Sequence, residues 1–179
     1  MAKPKIATTW LAGCAGCHMS FLDIDEAIIE LANLVEFTAS PITDIKEFPP
    51  VDVGIVEGSV NTTKDVEVLK KLRANCKILM AWGDCACFGG IFTMRNLCDK
   101  GELLRRGFIE TESTKKGSKV PASEEIPALL PQVKPINQLV KVDCYVPGCP
   151  PSAKAIHYAV VELLQGRIPV LPSDMMRFD

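Results

Sequence analysis

The stretch Leu11-Ala12-Gly13-Cys14-Ala15-Gly16-Cys17-His18 lies directly after a strand-like run and directly before a helix-like run. Its two cysteines are three positions apart, and the glycines beside them allow backbone bends that larger residues would resist. Both sulfurs can therefore face one point, and small neighbours leave space beside them. We interpret this loop as half of the ligand set of an iron–sulfur cluster, with the other half supplied from further along the chain.

Length and composition limit the class of protein. At 179 residues the chain is long enough for one domain with its own core, so we expect a single domain over residues 1–179. A net charge of −2 indicates no binding surface for nucleic acid or for an anionic membrane. No apolar run approaches the ~18 residues of a membrane span, and no export signal is evident. We therefore expect a cytoplasmic protein, where clustered cysteines indicate metal or redox chemistry more often than disulfides.

Strand-like and helix-like segments alternate along the chain, which predicts an α/β fold with a doubly wound parallel sheet. Residues 101–138 contain four prolines and little periodicity, so we expect a long irregular excursion there, with at most one short helix. Strands are predicted at 5–11, 35–40, 51–56, 76–82 and 139–146.

Helix starts are marked by residues that cap helices. Ser20, with Asp23 three positions on, predicts the start of the first helix. Asn61 or Thr62 is expected to open a charged helix, and Ser152 is expected to lead the last one.

Four cysteines each follow the carboxyl end of a predicted strand: Cys14, Cys17, Cys85 and Cys149. In an open α/β sheet these ends share one edge, and ligands bind in the crevice there. Four thiolates are sufficient for a 4Fe–4S cluster. Prolines on both sides of Cys149, in Pro147-Gly148-Cys149-Pro150-Pro151, keep that cysteine out of a helix.

The remaining cysteines divide into one alternative ligand and three structural residues. Cys87 follows the same strand as Cys85 and could take its place, although Cys85 is nearer to the strand end. We expect the other three to behave as small buried hydrophobes: Cys76, Cys98 and Cys144.

Two polar residues near the predicted site allow different interpretations. Glu57 ends a strand at the cysteine edge, so its carboxylate either faces the crevice or is a solvated or helix-capping acid. His18 is expected to be a packed or surface imidazole and not a metal ligand.

Other centres could use some of the same residues. Cys14 to His18 matches the C-x-x-C-H attachment motif of c-type haem, but haem would leave Cys85 and Cys149 without a role. A four-thiolate zinc site would use Cys14, Cys17, Cys85 and either Cys87 or Cys149, although only one tight C-x-x-C pair is present. A flavodoxin-type module holding FMN suits the fold, but no Ser/Thr-rich phosphate loop follows the first strand.

An ordered set of motifs resembles the small subunit of nickel–iron hydrogenases. The resemblance implies a flavodoxin-like domain in which Cys14, Cys17, Cys85 and Cys149 ligate the 4Fe–4S cluster nearest to the nickel–iron centre, and it favours Cys85 over Cys87. The motifs are Trp10-Leu11 with Cys14-x-x-Cys17, Glu57-Gly58, Gly83-x-Cys85-Ala86-x-x-Gly89-Gly90, and Pro147-Gly148-Cys149-Pro150-Pro151.

The chain looks like the short small subunits of cytoplasmic, NAD-reducing (bidirectional) hydrogenases, since neither an export signal nor a cluster-bearing extension is evident. That resemblance implies an obligate hetero-oligomer in which this chain relays electrons and has no catalytic centre of its own. A large subunit would hold the Ni–Fe centre, and diaphorase subunits would hold FMN and bind NAD. Many relatives have a glutamate where this chain has Gly13, which leaves Glu57 as a candidate for a role beside the cluster or in proton movement.

A second resemblance is to the cluster-bearing subunit of NADH:quinone oxidoreductase. It shares Pro-Gly-Cys-Pro-Pro and a Cys-Ala-x-x-Gly-Gly-x-Phe stretch with this chain. That family uses adjacent cysteines where this chain has C-x-x-C, so we expect the hydrogenase family to be the nearer one.

Overall fold

Five parallel strands form the central sheet in the computed structural model, which describes residues 2–176. The strands of the chain are β1 (Lys5–Trp10), β2 (Glu36–Ala39), β3 (Val51–Glu57), β4 (Val60–Thr62), β5 (Cys76–Trp82), β6 (Leu129–Lys134) and β7 (Cys144–Val146). The central sheet has the order β2-β1-β3-β5-β7, and β4 pairs with β6 in a small antiparallel sheet. Renumbered among themselves, the five central strands run 2-1-3-4-5, which is the flavodoxin-like order and confirms the predicted fold class.

Helices cover both faces of this sheet. They are α1 (Gly16–Leu22), α2 (Ala27–Leu34), α3 (Thr63–Asn75), α4 (Gly83–Phe88), α5 (Lys100–Phe108) and α6 (Ala153–Leu164), with 3₁₀ helices at Gly90–Leu97 and Ile136–Gln138. Phe21, Leu31 and Ile156 pack in one core cluster, on the side of α1, α2 and α6. Leu69 and Leu72 of α3 pack in a second cluster. The strands are therefore apolar on both faces, as strands covered on both sides should be.

The first predicted helix is two helices, and Ser20 does not cap either of them. The backbone of Ala15 is left-handed and leads directly into α1 at Gly16, so Ser20 lies inside the helix. The predicted helix is interrupted between α1 and α2, where Asp25 has a φ of 54°. The hydroxyl of Ser20 donates a hydrogen bond to the carbonyl oxygen of Pro151 (2.6 Å), a partner 131 positions away that local sequence does not reveal.

The excursion at 101–138 is more regular than the sequence indicates. It includes most of α5, all of β6 and the 3₁₀ helix Ile136–Gln138, and the residues that lack helix and strand are 109–128 and Pro135. Pro131 argues against a strand in the sequence, because proline lacks a backbone N–H. However, β6 is an edge strand of a two-stranded sheet, where proline is tolerated.

The last predicted strand is shorter than expected. Of residues 139–146, only Cys144–Val146 forms a strand, because the backbone N–H groups of Leu139 and Val140 both donate to the carbonyl of Ile136 and close a turn.

Two other predicted helix starts are confirmed. Thr62 caps α3 in a capping box with Asp65, and Ser152 caps α6. No helix within residues 2–176 is long and apolar enough to cross a bilayer. The prediction of one domain over 1–179 stays a prediction, and Met1 and residues 177–179 lie outside the described part of the chain.

Candidate functional site

The carboxyl ends of four neighbouring strands form a straight row. Trp10 pairs with Glu57, Glu57 with Trp82, and Trp82 with Val146, and these are the last residues of β1, β3, β5 and β7. The chain leaves the sheet at this edge after each of them. The predicted cysteines lie in three of the segments that follow: Cys14 and Cys17 after β1, Cys85 after β5, and Cys149 after β7.

These four cysteines line one pocket together with Glu57 and Asp84. Cys14 and Cys149 are exposed, whereas Cys17 and Cys85 are partly buried. The pocket therefore has a buried wall against the sheet and an open rim. No lysine, arginine or histidine is among the described residues that line it.

Hydrogen bonds hold the cysteine segments against one another. The carboxylate of Asp84 accepts from the backbone N–H of Gly148 (2.7 Å), and the N–H of Asp84 donates to the carbonyl of Gly148 (3.0 Å). The bond from Ser20 to Pro151 joins α1 to the segment after Cys149. Segments that are distant in sequence are thus fixed in one relative position.

Glycine is required at two positions beside the sulfurs. Gly83 has a φ of 78°, and a Cβ there would lie 2.3 Å from Sγ of Cys17. Gly90 has a φ of 56°, and a Cβ there would lie 2.6 Å from Sγ of Cys85. Both the backbone conformation and the space taken by a sulfur exclude a larger residue.

Burial and the neighbouring acidic groups disfavour thiolates in this pocket. Burial raises the pKa of the Cys17 thiol, and negative charge on Glu57 and on the other three pocket cysteines raises it further. Burial also raises the pKa of Cys85 to about 11, with contributions from Cys149, Cys14 and Glu57. Four thiolates in this pocket would need a positively charged group between them, which is what a metal centre supplies.

The structure separates Cys85 from its alternative. Cys87 is 2% exposed and absent from the pocket lining, and its thiol donates to the carbonyl oxygen of Ala81 (3.9 Å). Burial raises the pKa of Cys87 to about 12. Cys87 is therefore a core residue, and only Cys85 of the two reaches the pocket.

The expectation for the three structural cysteines is confirmed for Cys76 and Cys144, which are buried. It is wrong for Cys98, which is exposed because it follows a 3₁₀ helix that has no buried residue.

Glu57 faces the crevice and is not a solvated acid, and the helix-capping interpretation is also confirmed, because its carboxylate accepts from a backbone N–H in the first turn of α1. The residue is 1% exposed. Its Oε2 accepts hydrogen bonds from the backbone N–H of His18 (2.7 Å) and from Nδ1 of the same histidine (2.5 Å). His18 is also 1% exposed, which confirms it as a packed imidazole. The sequence did not reveal this pairing, because the two residues are 39 positions apart and only the loop after β1 brings them together.

The family of the chain follows from comparison with known proteins. Residues 14–163 match the family model described as NADH ubiquinone oxidoreductase, 20 Kd subunit, and this range includes all four pocket cysteines. The chain belongs to this family.

Relatives of this chain carry hydrogenase names. It is 39% identical over 180 residues to the delta subunit of the NAD-reducing hydrogenase HoxS of Cupriavidus necator, covering 99% of this chain and 86% of that subunit. It is 41% identical over 174 residues to an F420-non-reducing hydrogenase subunit of Methanocaldococcus jannaschii, covering 96% of this chain but 60% of that relative. The hydrogenase resemblance is confirmed by these relatives, and the family match shows that the resemblance to NADH:quinone oxidoreductase also holds at the level of the family.

A solved structure agrees closely with this fold. A chain from the crystal structure of an NAD⁺-reducing [NiFe]-hydrogenase in the H₂-reduced state superposes with a TM-score of 0.97, at 44% identity and with 99% of both chains covered. Within the matched family, this chain therefore belongs to the small subunits of nickel–iron hydrogenases.

Proposed function

We propose that this chain is the electron-relay subunit of a nickel–iron hydrogenase. In this proposal Cys14, Cys17, Cys85 and Cys149 hold one 4Fe–4S cluster, and residues 1–179 form one domain around it. Electrons from H₂ oxidation at the Ni–Fe centre of a large subunit pass through the cluster toward diaphorase subunits that hold FMN and reduce NAD. Both the Cupriavidus relative and the solved [NiFe]-hydrogenase are named as NAD-reducing, which supports NAD as the final electron acceptor.

One observation carries the proposal: four cysteines from three separate segments line a single pocket at the ligand-binding edge of the sheet. The bound cluster would supply a one-electron carrier. The residues of the chain supply the thiolates, keep Cys17 and Cys85 away from water, and leave Cys14 and Cys149 at an open rim. The rim is where a partner's redox centre can approach most closely.

An apolar surface beside the pocket supports a partner at this rim. The 3₁₀ helix Gly90–Leu97 begins next to Cys85, and three of its residues point outward at intervals of three, the repeat of this helix type. Ile91, Met94 and Leu97 are 70%, 64% and 84% exposed. Such a row of exposed apolar side chains is typical of protein interfaces, and we assign it to the large subunit.

The alternatives fit the pocket less well. Zinc needs its ligands at one point, and residues 2–176 contain no group of three His, Cys, Asp or Glu side chains placed to hold a single ion. The four sulfurs surround a shared space, which suits a cluster.

All eight cysteines are free of disulfides, which supports a reducing cytoplasm as the location.

The test is metal analysis of the chain purified with its large subunit. We expect about four iron and four sulfide per chain, as for one 4Fe–4S cluster. Cys149→Ala should lose most of both. Cys98→Ala and Cys87→Ala should keep them, because neither residue lies in the pocket. A complex that contains zinc without sulfide, or that keeps its cluster in Cys149→Ala, would refute the proposal.

A further inference from the structure

A buried histidine fixes the glutamate of the pocket wall. Oε2 of Glu57 receives two hydrogen bonds, both from His18: one from the backbone N–H and one from Nδ1. Oε1 of the same carboxylate lies on the other side, 3.4 Å from where a Cβ on Gly13 would be. The carboxylate therefore has one oxygen, Oε2, bound by His18, and the other, Oε1, next to the loop that carries Cys14.

The ring of His18 has little freedom to move. It lies between two tryptophans, with centroid distances of 5.5 Å to Trp10 and 5.7 Å to Trp82, both in edge-to-face arrangements. Its Nε2 is 3.0 Å from Oγ1 of Thr8. Because both ring nitrogens have partners and both flanks are packed, the Nδ1–H donor is held at one position relative to Glu57.

The charge of Glu57 acts on the sulfurs of the site. The side chain of Glu57 lines the same pocket as Cys14, Cys17, Cys85 and Cys149. The described pocket lining contains no basic side chain to offset its charge. Charges and hydrogen bonds beside an iron–sulfur cluster change its reduction potential, and they act more strongly where water is excluded.

We propose that His18 is a positioning residue that holds the Glu57 carboxylate against the cluster pocket, and that this pair sets the reduction potential of the cluster. The inference rests on the proposed function, since it requires a cluster on the four cysteines. The carboxylate disfavours an added electron and lowers the potential. The N–H donors of His18 withdraw part of that negative charge and so limit the effect.

The test is a redox titration of the purified complex, followed by electron paramagnetic resonance of the reduced cluster. Glu57→Gln keeps the shape and removes the charge, so the midpoint potential should become more positive. His18→Leu removes the Nδ1 donor and should shift the potential in the opposite direction. In the Glu57→Gln background, His18→Leu should cause no further shift, because His18 acts through Glu57.

Two controls separate positioning from general damage. His18→Asn retains an N–H donor near the position of Nδ1 and should restore most of the wild-type potential. Thr38→Val removes another buried hydroxyl of the sheet, which bonds the carbonyl of Ile6 away from the pocket, and should leave the potential unchanged.

The outcomes are distinguishable. Shifts of the same sign in Glu57→Gln and His18→Leu, or shifts that add in the double variant, would overturn the inference and leave the relay function intact. A wild-type complex with no reducible iron–sulfur signal would overturn the relay function and the inference together.

Discussion

Replacing Gly83 by alanine should displace a sulfur of the proposed cluster site. Gly83 has a φ of 78°, and a Cβ there would lie 2.3 Å from Sγ of Cys17. Ordinary contacts between heavy atoms are about 3.5–4.0 Å, so the sulfur or its helix must move by about 1 Å or more. Cys17 would then no longer be placed to bind iron.

The chain offers a control for the backbone part of this effect. Gly117 has a φ of 83°, nearly that of Gly83, but no atom lies within 4 Å of a Cβ built there. A left-handed alanine costs about 1–2 kcal/mol, which for a chain of this size is about 2–8 °C of melting temperature. Gly117→Ala should show this cost alone. The difference between the two variants then isolates the collision with the sulfur.

The measurements are the melting temperature and the iron and sulfide content of the purified complex. Gly117→Ala should melt slightly below wild type and keep its iron. Gly83→Ala should melt lower still and lose at least half of its iron. If Gly83→Ala retained full iron and matched the control in stability, the position of Cys17 in the pocket would be wrong.

Three further changes test other parts of the structure. Thr62→Ala removes the cap of α3 and should lower the free energy of unfolding by about 1 kcal/mol, measured by urea denaturation; an unchanged urea midpoint would contradict the capping role. Burial opposes ionisation of Asp143, but hydrogen bonds from a backbone N–H and from Arg73 hold its pKa below the ordinary value. Its contribution to stability is therefore present at neutral pH and is lost progressively as pH falls from about 4 through the lowered folded-state pKa. Asp143→Asn should cost about 1–3 kcal/mol at pH 7 and progressively less as the pH is lowered below about 4; a cost that does not change with pH would exclude this ion pair as the cause. Ile91→Asp should weaken recovery of the large subunit at least tenfold in a pull-down, whereas Ile29→Asp, on α2 and also exposed, should not; equal recovery would place the interface elsewhere.

Much of the fold could be predicted because the sheet is covered on both faces. Strands of that kind are continuous apolar runs, and β5 was predicted with its observed bounds, Cys76–Trp82. Thr62 and Ser152 were found because a cap acts within three or four residues of itself. Two of the errors are at places where a remote partner decides the structure: the helix around Ser20, whose hydroxyl bonds Pro151, and the edge strand β6, which depends on pairing with β4.

The sequence by itself determined that Cys14, Cys17, Cys149 and one cysteine after β5 lie at the same edge of the sheet. Strand ends of a parallel sheet lie at a common edge whatever the details of packing, so cysteines placed just after them converge on a shared crevice. The choice of Cys85 over Cys87 needed the family resemblance, and the structure shows its physical basis: two residues along α4 turn a side chain from the pocket into the core.

Only the tertiary structure decided what surrounds those sulfurs. The burial of Glu57, its pairing with His18, and the lack of a basic residue in the described pocket wall each depend on segments from different strands coming together. No local pattern encodes such contacts, since hydrogen bonding and desolvation of a side chain are set by whatever packs against it. The cysteine ligands of the proposed cluster could therefore be predicted from the sequence. The buried carboxylate and histidine beside them could be found only in the tertiary structure.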